Sequence, residues 1–331
     1  MFNRIKDDTR LDEIHHWLKT VFPSTHYTLE SASNDASFRR YFRITVEAKT
    51  LILMDAPPDQ EDTRPFINIG TFLYEHDIHV PKIYERDANA GFLLLSDFGY
   101  HPYLDELNEY TADNLYKAAI DSLIKIQLCP TQDIDLPVYD HALLQQEMNL
   151  FPDWFLDKHL NIEIPEFLQT TFEHLISSAL AQPQIIVHRD YHSRNLMHTI
   201  DNSPGIIDFQ DAVIGAVSYD LVSLLRDCYI SWSDDKINHW VHYYFSIAQS
   251  QGLLPDISIE QFTQWFDWMG LQRHIKVLGI FCRLNYRDGK ANYMNDLPLT
   301  LTYVRKITAK YPEFAELNDF LQQQPQIEAI S

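Results

Sequence analysis

Along the first third of the chain, apolar positions recur with two different periods. Leu11, Ile14, Leu18 and Val21 repeat every three or four residues, which predicts an amphipathic helix over about residues 9–22. After Pro23 the pattern turns β-like. Phe38–Val46 alternates and is rich in aromatic and β-branched residues, Glu47-Ala48-Lys49 reads as a turn, and Thr50–Met54 as the next strand. Pro57-Pro58 ends that strand. Asp62–His76, with Phe66, Ile69 and Leu73 on one face, predicts a second helix, and Val80–Tyr84 and Phe92–Leu95 complete a small antiparallel sheet. Beyond Ser96-Asp97-Phe98-Gly99 the chain is mostly helical. Ala112–Leu128 places Leu115, Ala119, Leu123 and Ile126 on one stripe, further helices are expected over about 141–160 and 165–180, and the tail from Ile257 is helical. This is an α+β pattern, with a sheet-bearing N-terminal lobe over 1–96 and a larger helical lobe over 97–331.

Two apolar runs interrupt the helical part, and each ends in an acid. Ile185-Ile186-Val187 leads into His188-Arg189-Asp190, with Asn195 five residues after the Asp. Gly205-Ile206-Ile207 leads into Asp208-Phe209-Gln210, and Asp208 lies 18 residues after Asp190. Between them, Asp201-Asn202-Ser203-Pro204-Gly205 is a turn signal that would join Leu196–His198 to Gly205–Ile207 as a hairpin. The first motif fits H-R-D-x-x-x-x-N, in which the Asp accepts a hydroxyl proton and the Asn holds Mg²⁺; the second stands where kinases carry Asp-Phe-Gly, whose Asp binds metal. Phosphoryl transfer needs a positioned hydroxyl and neutralised phosphate charge, which such groups on neighbouring turns supply. The plainer alternative is two buried strands with ordinary polar turns.

The forms Asp-Tyr-His-Ser-Arg-Asn at 190–195 and Asp-Phe-Gln-Asp-Ala at 208–212 resemble the aminoglycoside phosphotransferase and choline kinase group rather than ordinary protein kinases. Within that group, Asp35–Phe42, Leu51–Pro58, His188–Met197 and Tyr219–Trp232 are similar to the bacterial anomeric kinases of cell-wall sugar recycling, which act on N-acetylmuramate and N-acetylglucosamine. The resemblance implies a two-lobed protein-kinase-like fold, with ATP and Mg²⁺ as cofactors and a small amino sugar as acceptor. Asp190 would be the catalytic base, and Asn195 and Asp208 the metal ligands. Ser31–Ser37 takes the place of the Gly-rich phosphate loop, so Ser37 is a candidate backbone donor, although a plain solvated turn is the alternative. Leu95 and Asp97 flank the expected hinge, whose backbone would read the adenine edge.

One departure stands out. Kinases place a phosphate-binding Lys where this chain has Met54. Either Arg39 or Arg40, nearest in the hairpin, contacts the phosphates, or the protein is a non-catalytic nucleotide binder; both arginines could equally be strand-face charges. Glu61 and Glu75 are candidates for the helix-borne acid of kinases, with a solvated face as the alternative. Asp211 would touch a second metal or cap a turn, and Asp220, opening a helix, would buttress the catalytic loop. The densest cationic segment is Arg273-His274-Ile275-Lys276 followed by Arg283 to Lys290. Arg283 and Arg287 are its candidates for an anionic substrate group such as a lactyl carboxylate, against the plainer reading of a basic helix face.

Composition narrows the classes. A formal charge of −21 without a basic stripe argues against nucleic acid, and is treated as solubility before it is read as a cationic substrate such as an aminoglycoside. Cys129, Cys228 and Cys282 show no metal or disulfide spacing and suit buried thiols in the cytoplasm. A charged N-terminus and the lack of a long apolar run predict neither signal peptide nor membrane span. Oligomeric state is not set by the sequence.

Overall fold

The computed structural model describes residues 9–34 and 38–330. They divide into two compact units: residues up to Tyr100 together with Thr199–Gln210, and His101–His198 together with Asp211 onward. The Ser31–Ser37 expectation is only partly within reach, because Asp35, Ala36 and Ser37 lie outside the described residues.

The first unit starts with helix α1 (Thr9–Val21), then strands β1 (Tyr27–Asn34), β2 (Arg40–Val46) and β3 (Lys49–Asp55). Helix α2 (Arg64–Glu75) and strands β4 (Ile83–Asp87) and β5 (Phe92–Ser96) follow. The sheet is antiparallel with order β1-β2-β3-β5-β4. Its register puts Leu53 opposite Leu94, and these join Ile44 and Phe92 to meet Ile14 and Leu18 of α1 in one fully buried cluster. The opposite face of the central strands is just as dry, since Met54 and its partner Leu93 are both fully buried. Two boundaries differ from the periodicity. Ser31–Asn34 is strand, because an irregularity between Ser31 and Ser33 lets β1 keep pairing with β2 as far as Arg40. The strand expected over Val80–Tyr84 begins instead at Ile83, after Pro81, which has no N–H for a ladder. It runs on through Glu85 and Arg86, which are tolerable only because β4 is an edge strand.

The second unit holds short helix α3 (Tyr103–Glu106), α4 (Ala112–Leu128), α5 (His141–Met148) and α6 (Leu168–Leu180). Strand β6 (Gln184–Val187) and the two-residue β7 (Leu196–Met197) follow; the equally short β8 (Gly205–Ile206) belongs to the first unit. The second unit resumes with β9 (Val213–Ala216), α7 (Tyr219–Leu225), α8 (Asp234–Ser250), α9 (Ile259–Asp288), α10 (Leu297–Lys310), α11 (Ala315–Gln323) and α12 (Pro325–Glu328). The single helix expected over 141–160 is broken: Pro152 cannot donate, and Phe151–His159 winds as a wider π-type turn. Helix α8 is absent from the expectation, although Ser233 caps it and Ile237, Trp240, Val241, Tyr244 and Ala248 give it a regular buried stripe. All three cysteines are buried and unpaired. Among the described residues no helix is long and apolar enough to cross a membrane.

Helix α9 is the axis of this unit. It runs 30 residues from its Ser258 cap to Gly289 in the left-handed region, and packs against α5, α6, α7, α8 and α10. At Gly279 the approach is closest, since a Cβ there would lie 2.2 Å from the backbone carbonyl carbon and oxygen of Leu150. Alanine is the better helix former by about 1 kcal/mol, but a clash with backbone has no rotamer to relieve it. Gly279→Ala is therefore expected to destabilise by about 1–3 kcal/mol, read as a lower urea midpoint. A raised midpoint would show that propensity, not this contact, decides.

Candidate active site

Strand β6 pairs with β9 in register, Val187 opposite Val213, and releases the chain at His188. Arg189 then takes a φ of 76°, a left-handed conformation that costs a bulky L residue energy. Asp220 on α7 holds it there. One of its oxygens accepts the backbone N–H of His188 at 2.6 Å, the other that of Arg189 at 3.0 Å, and the side chain is fully buried. Burial pushes the Asp220 carboxyl up to about 6, while His188 and these two donors pull it down. Further along the loop, Asp227 accepts the Ser193 N–H at 3.0 Å and the Ser193 hydroxyl. Asn195 closes it, donating from Nδ2 to the Asp190 carbonyl at 3.0 Å. Asp190 is thus fixed between two anchored neighbours.

Side-chain charge converges on the same loop. Glu147, on α5, pairs with Arg189 and accepts from the Tyr139 hydroxyl, and lies 3.2 Å from Lys276 Nζ. Lys276 also donates to the Tyr219 hydroxyl at 2.5 Å, and Arg189 lies over the Tyr139 ring at 5.6 Å. Burial pushes the Glu147 carboxyl up, but Lys276 and Arg189 outweigh it and hold it below its ordinary range. Asp190 follows the same logic: burial raises its carboxyl, while His192, Lys276 and Arg273 bring it below the usual carboxylate value. An ionised carboxylate is what a proton acceptor requires.

Asp208 belongs to the first unit. It too takes a positive φ, 66°, and accepts from Gln210 Nε2 at 2.9 Å. Phe209 next to it packs on Phe66 of α2 and so close to Gly70 that a Cβ there would meet its ring at 3.0 Å. Met54 is a core side chain with no electrostatic part to play. The cation near Asp208 is Arg39, 3.9 Å from its Oδ1 and 4.0 Å from Glu61. Arg40 instead pairs with fully buried Asp55, which Arg10 also grips. Asp97 receives two bonds from Arg43, at 2.6 and 2.9 Å, and one from the Gly99 N–H, so its carboxylate shapes the turn after β5. Leu95 is a buried sheet residue, aligned with Ile52 on one side and Ile83 on the other, so hinge backbone starts beyond it. Glu75 is exposed. On α9, Arg283 is half-buried with an unpartnered Nε, while Arg287 is exposed and paired with Asp288.

Each motif offers an oxygen donor within its own unit: the Asp208 carboxylate in the first and, since Asn195 Nδ2 faces Asp190, the amide oxygen end of Asn195 in the second. No cluster of three or more His, Cys, Asp or Glu among the described residues is arranged to hold a metal. Glu147 and Asp227 were not legible as site residues. The available signal was an acid in each case set near an apolar stretch: Glu147 one turn from buried Leu144, and Asp227 two residues after the end of the buried helix α7.

Removing Asp220 tests the loop's support. Asp220→Ala leaves two buried N–H donors unpaired, each costing about 1–3 kcal/mol, so stability should fall by roughly 2–6 kcal/mol. Retained stability in chemical denaturation would mean that the loop keeps its shape by other contacts.

The fold and these groups agree with what the chain is similar to. A profile of the phosphotransferase enzyme family matches residues 28–253. The N-acetylmuramate/N-acetylglucosamine kinase of Pseudomonas putida is 42% identical over 328 residues, covering 95% of this chain and 96% of the relative. That of Pseudomonas aeruginosa is 41% identical over 336 residues, covering 97% and 99%. Among solved structures, the ethanolamine kinase of Plasmodium vivax superposes with a TM-score of 0.66 at 14% identity, covering 95% of this chain and 93% of its own. A choline/ethanolamine kinase family protein from Mesorhizobium loti gives 0.65 at 11%, covering 97% and 99%. At such identities the structures speak for the fold alone, but the profile and the near-full-length relatives do more: the chain belongs to the phosphotransferase enzyme family.

Proposed function

We propose that this protein transfers a phosphoryl group from ATP to the anomeric hydroxyl of N-acetylmuramate or N-acetylglucosamine, in the cytoplasm, as a step of cell-wall sugar recycling. The observation that carries the reading is the 42% identity over nearly the whole chain to a relative of that name. Asp190 orients the hydroxyl and accepts its proton. Asn195 and Asp208 hold Mg²⁺, which when bound would neutralise charge on the phosphate oxygens. Arg39 serves the phosphates in place of the Lys that Met54 replaces, its planar fork suiting that task. The backbone about Leu95 and Asp97 is assigned to the nucleotide, as is Ser37 from the sequence alone, and the cationic face of α9 to the acceptor.

The direct test is incubation with ATP and Mg²⁺ against both sugars and a panel of aminoglycosides, with the product identified by phosphorus NMR. A sugar 1-phosphate from each sugar, lost on chelation of Mg²⁺, is expected. Turnover of aminoglycosides alone would replace the acceptor while leaving the kinase fold; ATP binding without turnover of any acceptor would favour a non-catalytic nucleotide binder. Asp208→Ala should weaken Mg²⁺-ATP binding and turnover together, by more than the roughly tenfold that loss of an outer-shell partner costs. Unchanged affinity and rate would make Asp208 a turn residue.

A further inference from the structure

Helix α9 carries cations at Arg273, Lys276, Arg283 and Arg287, a spacing that keeps all four on one face. The first two are buried, 4% and 6% exposed, and they keep different company. Lys276 is satisfied by Glu147 and the Tyr219 hydroxyl. Arg273 forms no ion pair with a carboxylate among the described residues. Its polar contact is NH1 with the Cys228 sulfur at 3.7 Å, a weak acceptor, and its Nε is sealed without any acceptor. Asp190 and Asp227 favour its charge through space, but neither is bonded to it, so guanidinium donors that are costly to leave unmet in a buried site remain for an acceptor that the chain does not supply.

The two tethers of the catalytic loop show where that hydrogen-bond acceptor would sit. Glu147 links Lys276 to Arg189, the residue before Asp190. Asp227, which grips Ser193, is the chain neighbour of Cys228, the side chain Arg273 touches. Asp190 lies between Arg189 and Ser193, so both buried cations border the place where an acceptor hydroxyl must be held. We propose that Arg273 is a specificity-determining residue that receives the carboxylate of an acidic amino sugar, the lactyl group of N-acetylmuramate, while Asp190 takes the proton from its hydroxyl. This rests on the sugar-kinase reading. Reach selects Arg273 over the other arginines of the stripe. The lactyl carboxylate is only a few bonds from the anomeric carbon, whereas Arg283 and Arg287 stand about 15 and 21 Å further along the helix at ~1.5 Å per residue.

The test is the ratio of kcat/KM on N-acetylmuramate to that on N-acetylglucosamine, for wild type, Arg273→Gln, Arg273→Lys, Arg283→Ala and Arg287→Ala. Both sugars are measured on one preparation, so the ratio cancels any loss of folded enzyme; if the Gln variant does not fold, the Lys variant carries the comparison. Arg273→Gln should lower the ratio by about tenfold to a hundredfold, the worth of a charge-assisted hydrogen bond, and Arg273→Lys by less. Equal losses on both sugars would overturn the assignment and give the guanidinium to the transferred phosphoryl group or to packing. A ratio that falls only in Arg283→Ala or Arg287→Ala would overturn it too. Wild-type protein inactive on both sugars would sink the sugar-kinase reading itself, and this inference with it.

Discussion

Asp220 holds two consecutive backbone N–H groups with one buried carboxylate, and the rest of the catalytic loop hangs from that grip. Arg189 would not keep a φ of 76° by itself, since strain of this kind costs about 1–3 kcal/mol. Two hydrogen bonds to a charged acceptor, about 1.5–3 kcal/mol each, are enough to hold it. The consequence is directional: with His188 and Arg189 locked, Asp190 leaves the strand at a set angle, and Asp227 and Asn195 close the loop behind it.

Around this anchor the charges form a chain rather than a set of pairs. Arg189 leads to Glu147, Glu147 to Lys276, and Lys276 to Tyr219 beside Asp220. Buried ion pairs are weak evidence for stability, because desolvation offsets their attraction. Their use here is placement, with helices α5, α7 and α9 each contributing one member. It also explains why an acidic protein has a cationic helix at its centre. The charge of −21 describes the molecule as a whole, while the buried cations of α9 set the local field about Asp190.

Much of the fold was legible because local pattern and tertiary burial agreed. Helix α4 spans Ala112–Leu128 as its stripe predicts, and α2 differs by two residues at its start and one at its end. The motif pair was legible because its spacing is dictated by chemistry. What stayed hidden depends on contacts between distant residues. Arg39 and Arg40 are neighbours in sequence, yet one approaches Asp208 and the other is drawn to Asp55, which no period reveals. For the cationic tail the sequence left open an anion site or a basic helix face, and only packing shows Arg273 and Lys276 sealed inside. Likewise Thr199–Gln210 joins a unit whose other residues end a hundred positions earlier, at Tyr100.

The central claim is that Asp190 acts on the acceptor's proton and not on the nucleotide. The most direct measurement pairs calorimetric Mg²⁺-ATP binding with single-turnover kinetics on N-acetylglucosamine for Asp190→Asn. An amide keeps the shape but cannot take the proton, so affinity should stay within about threefold while the rate falls by roughly 10²–10⁴. A near wild-type rate, or a loss confined to nucleotide affinity, would contradict the account.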